Sequence, residues 1–214
     1  MTTSGPAAVI VLAAGEGTRM KSATPKVLHS IGGRTLLGHA IAAARGVDPQ
    51  HLVIVVRHGR GLVATHIAGL DADAVIADQD DVMGTGRAAE CGLDALPADL
   101  EGTVLVTYGD VPLLSAETLN QLLEMHDASQ SAATVLTARV ADPFGYGRIL
   151  RAADGSVAGI VEQKDATAAQ LEITELNAGL LARAAVGRSK AVPRVGTDQG
   201  PGDDHPTEGR GDAA

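Results

Sequence analysis

Short, unbroken apolar runs alternate along this chain with stretches in which apolar residues recur every three or four positions. AAVIVLAA (7–14), HLVIVVR (51–57), DAVIA (73–77), GTVLVTY (102–108) and SAATVLTARV (131–140) read as strands, continuous enough to be buried on both faces. Between them RTLLGHAIAAAR (34–45), the segment Ala64 to Leu70, TGRAAECGLDAL (85–96) and SAETLNQLLEMHD (115–127) have helical spacing, with Ser115 placed as an N-cap. The alternation predicts an α/β fold: a mainly parallel sheet with helices on both faces and right-handed crossovers. Such sheets bind ligands at the carboxyl ends of their strands.

Past residue 145 the pattern changes. GYGRILRAADGSVAGIVEQ places two β-prone runs around Asp154-Gly155, a pair suited to a two-residue hairpin turn, and TELNAGLLA (174–182) reads as one more strand. From about Val192 glycine, proline and aspartate dominate and no period survives, so residues 192–214 are expected to be a disordered tail after one domain over residues 1–191. No internal repeat is present.

Composition narrows the function. With 214 residues and 45% hydrophobic positions, the chain can bury one good core and a small second lobe. A formal charge of -9 and a pI near 5.1 argue against a nucleic-acid or membrane-surface partner, which would require a broad positive field. Cys91 is the single cysteine, so neither a disulfide framework nor a thiolate cluster can form. No basic residue precedes AAVIVLAA, and that run is too short to span a bilayer, so a soluble cytoplasmic protein is expected. The three aromatic residues, Tyr108, Phe144 and Tyr146, each sit in a glycine-containing segment at a strand end, a placement that suggests site loops rather than core.

Two segments carry candidate chemistry. LAAGEGTRMKSATPKVL (12–28) leaves the first strand with exposed backbone N–H groups expected at Ala14, Gly15 and Gly17. It lacks the Gly-Lys-Ser/Thr close of a Walker loop. It also fails the dinucleotide fingerprint, since Met20 stands where the third glycine should allow helix packing, and Pro25 would interrupt a helix begun at Gly17. Between Gly15 and Arg34, Arg19, Lys21, Lys26 and Arg34 face only Glu16, a local excess of cations that suits a polyphosphate. The second segment, LVTYGDVPLL (105–114), ends a strand at Tyr108-Gly109-Asp110 and should project Asp110 into the same crevice, where a lone carboxylate beside phosphates is a natural magnesium ligand or else a helix-capping turn residue.

Taken in order, Leu-Ala-Ala-Gly-x-Gly-Thr-Arg-Met, Pro-Lys-Val-Leu, Gly-Thr-Gly and Tyr-Gly-Asp-Val-Pro-Leu resemble the sugar-phosphate nucleotidyltransferases. GTRMKSATPKVLHSIGGRTLLGHA, FGYGRILR, GIVEQKDAT and ELNAG further resemble the uridyltransferase domain of the bifunctional N-acetylglucosamine-1-phosphate uridyltransferase/glucosamine-1-phosphate acetyltransferases, over about Ala8 to Gly179. That resemblance implies a Rossmann-like nucleotidyltransferase fold with a small β-rich sugar-binding lobe. It implies that Leu12, Ala13, Ala14 and Gly15 hold the nucleoside, that Gln79, Gly84 and Thr85 read the uracil, and that Arg19 and Lys26 contact phosphates as the catalytic cations. Tyr108 and Gly109 would lie at the nucleotide-sugar, Asp110 would bind Mg2+, and Gly147, Glu162 and Asn177 would contact the N-acetylglucosamine moiety.

The implied reaction joins UTP and N-acetylglucosamine 1-phosphate to give UDP-N-acetylglucosamine and pyrophosphate. Its nucleophile is already anionic, so positioning and electrostatic stabilisation suffice without a general base. Two departures from the family pattern stand out. Arg87 occupies the place where a His usually follows Gly-Thr-Gly, either adding phosphate-facing charge or altering a helix surface. After Asn177-Ala178-Gly179 the sequence leaves the family's course, so a truncated domain is expected, without the second magnesium ligand or the acetyltransferase activity. A non-catalytic nucleotide-binding fragment and a nucleotidyltransferase for another sugar phosphate are the alternative readings.

Overall fold

The structure, a computed structural model, describes residues 5–17 and 20–185. The expected tail over 192–214 and the end of the expected domain lie outside the described residues, as does Arg19. An eight-stranded sheet forms the frame. Its parallel half runs β5 (Val75–Asp78), β4 (His51–Val56), β1 (Ala8–Leu12), β6 (Gly102–Tyr108), joined by the helices α1 (Leu36–Arg45), α2 (Arg60–Leu70) and α3 (Thr85–Asp94).

Residues of β1 show why the apolar runs are unbroken. Val9 and Val11 enter a cluster with Leu37 and Ile41 of α1, Leu52 and Ile54 of β4, and Leu119 and Leu122 of α4 (Ala116–Ser129). Ala8, Ile10 and Leu12 point the other way, onto Ala88 and Ala89 of α3 together with Val53, Val55, Val104 and Val106. Successive residues face opposite sides of a strand, so a strand covered by helices on both faces must be apolar at every position. On the α3 face the approach is close: a Cβ on Gly92 would stand 2.5 Å from Ile10 Cγ2.

The other half of the sheet is antiparallel and is organised by β10 (Glu175–Ala185). Along one edge β10 pairs with β7 (Ala133–Arg139); its remaining ladders are to β6, over Leu181–Ala185, and to β8 (Arg148–Arg151), at Leu176. β8 in turn pairs with β9 (Val157–Val161). A bulge between Asn177 and Leu181 lets β10 pass from one set of partners to the next. The strand predicted over TELNAGLLA is thus present, as the hinge between the parallel core and the small β-rich lobe.

Several local expectations need correction. The β8–β9 turn is not a two-residue loop. Ala152 N–H donates to the Ser156 carbonyl at 2.9 Å, leaving three residues in the loop, with Gly155 at φ +84 and the Asp154 carboxylate accepting from the Ser156 N–H. That is a turn closed by a left-handed glycine, which the Asp-Gly pair suits equally well. Arg34 and Thr35 are not helical: they form β3, paired with β2 (Ser30–Ile31) across Gly32-Gly33, and Thr35 then caps α1 by accepting from Gly38 N–H at 3.0 Å. Nor is β7 buried on both faces, because it lies in the thinner lobe and is only half-buried. Ser115 caps α4 as expected, and Thr167 with Gln170 forms an unforeseen capping box on the short α5 (Ala168–Leu171). Among the described residues no helix is long and apolar enough to cross a membrane.

Candidate active site

The carboxyl ends of the parallel strands deliver four chain segments to one cleft of about 480 Å³. The first follows β1. Ala13 N–H donates to Val55 O and Gly109 N–H to Leu12 O, each at 2.8 Å, which pins the start of the loop between its two neighbours. Beyond that point, among the described residues, no backbone carbonyl takes up the N–H of Ala14, Gly15 or Gly17, so these donors are free to face a ligand.

Pro25 ends this loop in a 3-10 turn over Lys26–Leu28, with Leu28 N–H donating to Pro25 O at 2.9 Å and Val27 buried beneath. Two glycines make room for it. At Gly17, φ +62, a Cβ would fall 2.6 Å from Lys26 Cβ, and at Gly59, φ +64, one would fall 2.4 Å from Pro25 Cγ. The turn aims Lys26 into the cleft, where its ammonium donates to the Asp110 carboxylate. That carboxylate is a single acidic group; among the described residues no three His, Cys, Asp or Glu side chains gather in a metal-binding group. One carboxylate, already balanced by a cation and open to a cleft, fits a magnesium ion that shares substrate phosphates and keeps its water.

Opposite lies the segment after β5. Gln79 N–H continues the sheet by donating to Val56 O at 2.9 Å, and its side-chain Nε2 donates to Val82 O at 2.9 Å and Gly84 O at 3.3 Å. With the amide nitrogen engaged by its own loop, the Gln79 carbonyl oxygen is the polar atom left for a ligand. Gly84, φ +119, precedes Thr85, where α3 begins at the rim of the cleft. Arg87 is not aimed at the cleft. Its guanidinium forks to Asp80 at 2.6 and 2.9 Å and reaches Glu90 at 2.9 Å, while Asp80 caps Val82 N–H, so Arg87 braces this loop from outside. Those contacts raise the pKa of Arg87 and lower that of Asp80.

Tyr108 joins this cleft to the small lobe. Burial pushes its hydroxyl pKa up; the neighbouring Thr85 side chain offsets part of that rise, and the carboxylates of Asp110 and Glu162 add to it. Behind the ring Gly179, φ +82, packs so closely that a Cβ would lie 2.1 Å from Tyr108 Cε2. Asn177 is tied in by both its groups: its side-chain oxygen accepts from Gly179 N–H and its backbone N–H donates to Gly147 O, each at 2.9 Å. Gly147 faces Glu162 in turn, since a Cβ there would meet Glu162 Oε1 at 3.2 Å.

The structure therefore brings Leu12, Ala13, Ala14, Gly15, Lys26, Gln79, Gly84, Thr85, Tyr108 and Asp110 to one cleft, with Gly109 directly beneath it against Leu12 and Ala13. Gly147, Glu162 and Asn177 form a second group beside Tyr108 rather than lining that cleft. Of the other aromatics, Phe144 is 75% exposed and Tyr146 55%, so they are loop residues as expected but not part of the cleft wall. Arg57 and Met83 line the cleft and were not singled out from the sequence. A cation directly after the buried run LVIVV was the available signal for Arg57.

The MobA-like NTP transferase domain matches residues 9–171. A bifunctional protein GlmU from Kineococcus radiotolerans is 60% identical over 203 residues, covering 95% of this chain and 41% of the relative. A second, from Micrococcus luteus, is 55% identical over 217 residues, with 95% and 44% covered, so the chain spans about two fifths of the length of the curated relatives it matches. Among solved structures, a UDP-glucose pyrophosphorylase complexed with UDP-glucose superposes with a TM-score of 0.64 at 18% identity, covering 82% of this chain and 75% of the other. An inositol-1-phosphate CTP transferase from T. maritima does so with a TM-score of 0.61 at 17% identity, with 84% and 71% covered. At such identities the two structures speak for the fold, which they share.

Proposed function

The chain belongs to the MobA-like NTP transferase domain family, and on that premise we propose that it transfers a uridylyl group from UTP to N-acetylglucosamine 1-phosphate, releasing pyrophosphate. The observation that carries the choice of base is the Gln79 amide. Its nitrogen is held by Val82 O and Gly84 O, so its oxygen presents an acceptor. The imide N3–H of uracil donates to such an acceptor, whereas the ring N3 of cytosine is itself an acceptor and would be repelled. The choice of sugar phosphate rests on Gly147, Glu162 and Asn177 lying together beside Tyr108 and on the high identity to GlmU proteins.

In this reading the triphosphate lies along the loop after β1, where the free N–H groups of Ala14, Gly15 and Gly17 and the Lys26 ammonium receive its oxygens. Asp110 would hold magnesium, which when bound offsets the charge crowding at the α-phosphorus and the departing pyrophosphate. Asn177, whose side-chain oxygen is spent on Gly179 N–H, offers its amide NH2 to a sugar hydroxyl or acetamido oxygen. Glu162 accepts from hydroxyls on the same side. The phosphate oxygen of the sugar 1-phosphate then attacks the α-phosphorus in line, forming one P–O bond as the bond to pyrophosphate breaks, with no proton to remove. Lys26 holds the phosphates in that alignment.

Pyrophosphate release by the purified chain with UTP, magnesium and N-acetylglucosamine 1-phosphate, followed beside thermal unfolding, tests the reading. UTP is expected to be used in preference to CTP, and N-acetylglucosamine 1-phosphate in preference to glucose 1-phosphate. A cooperatively folded chain that binds UTP yet releases no pyrophosphate would overturn the catalytic assignment.

A further inference from the structure

One cation of the cleft has no part in the roles assigned so far. Arg57 follows Val56 at the carboxyl end of β4, the strand that lies between β1 and β5 in the sheet, and its side chain lines the cleft while remaining 27% exposed. Other arginines of the parallel half are satisfied by carboxylates: Arg45 binds Asp71, Arg60 binds Asp78, and Arg87 binds Asp80. Among the described residues Arg57 has no such fork. The nearest approach of a carboxylate recorded for it is 3.9 Å, to Glu16 Oε1 of the loop after β1, beyond hydrogen-bonding distance. Among the described residues its hydrogen bond runs from Nη1 to the sulfur of Met83, a weak acceptor. Asp80, the other charged group that feels it, is already forked to Arg87.

A guanidinium carries five donors in a rigid plane, and those of Arg57 not directed at Met83 stand open to a ligand in the cleft. Its position says which part of the ligand. Met83, which Arg57 touches, belongs to the Gln79–Gly84 loop, the segment that carries the base-reading amide. There Gln79 offers an acceptor only, while an imide edge presents a carbonyl oxygen on each side of its N–H. A donor beside Gln79 would complete that pairing, and Arg57, in contact with Met83 of the same loop, is a cation of the cleft placed to supply it.

We infer that Arg57 is a specificity-determining residue that donates to the O4 carbonyl oxygen of uracil, beside the N3–H read by Gln79. The inference rests on the uridylyl reading above and deepens it. A donor-only group beside an acceptor-only group is complementary to uracil and mismatched to cytosine, whose 4-amino group would bring a donor against a donor.

The test is equilibrium binding of UMP, UDP and UTP by calorimetry to the wild-type chain, Arg57→Met and Arg57→Lys, with thermal unfolding of each. Arg57→Met should weaken all three nucleotides by the same factor, about tenfold or more, the scale of one hydrogen bond from a charged donor. Arg57→Lys keeps one donor on a shorter head and should fall between. Both should leave the affinity for N-acetylglucosamine 1-phosphate alone unchanged. A penalty that grows from UMP to UTP would place Arg57 on the phosphates and overturn the inference, and so would unchanged affinity for all three. Should Arg57→Met fail to unfold cooperatively, the lysine variant decides by the same criterion. Failure of the underlying reading looks different: a wild-type chain that binds CTP as tightly as UTP refutes the uracil assignment before any variant is measured.

Discussion

The Lys26 ammonium and the Asp110 carboxylate, 84 positions apart in sequence, form an ion pair across the cleft. Each is the other's charge partner until substrate arrives. In the proposed reaction phosphate oxygens would compete for Lys26 and a divalent cation for Asp110, so the pair would open in favour of a nucleotide and metal that enter together.

That pairing yields a prediction about both partners. Lys26→Ala should lower turnover by about 100-fold or more, the scale for removing one key electrostatic contact to a transition state. Asp110→Asn should lose a comparable factor while remaining folded, since the pair is partly exposed and such pairs contribute little to stability. Steady-state kinetics beside thermal unfolding checks both, and near-normal turnover in either would refute the roles proposed for this pair.

The Gln79 amide nitrogen braces its own loop, and its oxygen is the atom proposed to read the base. Replacing it with Glu removes the donor that Val82 O and Gly84 O accept and sets a negative charge against those carbonyls. Gln79→Glu should therefore raise KM for UTP at least as much as Gln79→Ala, by about tenfold or more, without changing KM for the sugar phosphate. A variant indistinguishable from wild type in KM for UTP would contradict the amide's assigned orientation.

Gly179 supports Tyr108 from behind. Alanine there meets two obstacles, a φ of +82 and a Cβ placed 2.1 Å from Tyr108 Cε2, so the ring or the bulge must move. Gly179→Ala is expected to destabilise the chain by about 1–3 kcal/mol, the range for strained backbone or overpacking. Chemical denaturation measures the cost. Because the displaced ring stands between the cleft and the Gly147–Glu162–Asn177 group, KM for the sugar phosphate should rise more than KM for UTP.

Glu175 governs the small lobe's response to acid. Its buried carboxylate on β10 accepts from Arg151 at 2.5 and 2.9 Å, from Thr137 at 2.8 Å and from Arg139 at 3.4 Å, gathering β7 and β8 onto one strand. The Arg151 hydrogen bonds do most to lower its pKa from 4.5 to about 2, against the opposing effect of burial. A folded pKa below the unfolded one gives stability that is fully present above the unfolded value and is lost as pH falls toward the folded value. The stability difference between wild type and Glu175→Gln should thus be constant at neutral pH and shrink between about pH 4.5 and 2. Urea midpoints across that range measure it, and a gap unchanged down to the lower limit would argue against the Arg151–Glu175 pair.

Much of the parallel half was legible in the chain. Unbroken apolar runs such as HLVIVVR can be satisfied only between two helical layers, and β4 lies there with its residues buried in turn against α1 and α3. The first loop declared itself through Gly15, Gly17 and Pro25, whose backbone preferences act within a few residues. The β7 run misled for the opposite reason: its apolar residues look the same whether one layer covers them or two. The length of the Asp154-Gly155 turn was likewise undecided, since one left-handed glycine serves both kinds of loop.

By itself, then, the sequence determined the alternation of strands and helices, the loop that cannot become a helix, and the local excess of positive charge. These follow from side-chain period and backbone sterics over a few neighbouring residues. Only the tertiary structure decided that Lys26 meets Asp110, that Gly179 shelters Tyr108, that Arg87 is taken up by Asp80 and Glu90, and that Arg57 faces the cleft. Those relationships depend on the order of strands in the sheet and on the antiparallel pairing of β10 with both β6 and β7. Contacts between residues distant in the chain are set by the packing of whole elements, and no local pattern encodes them.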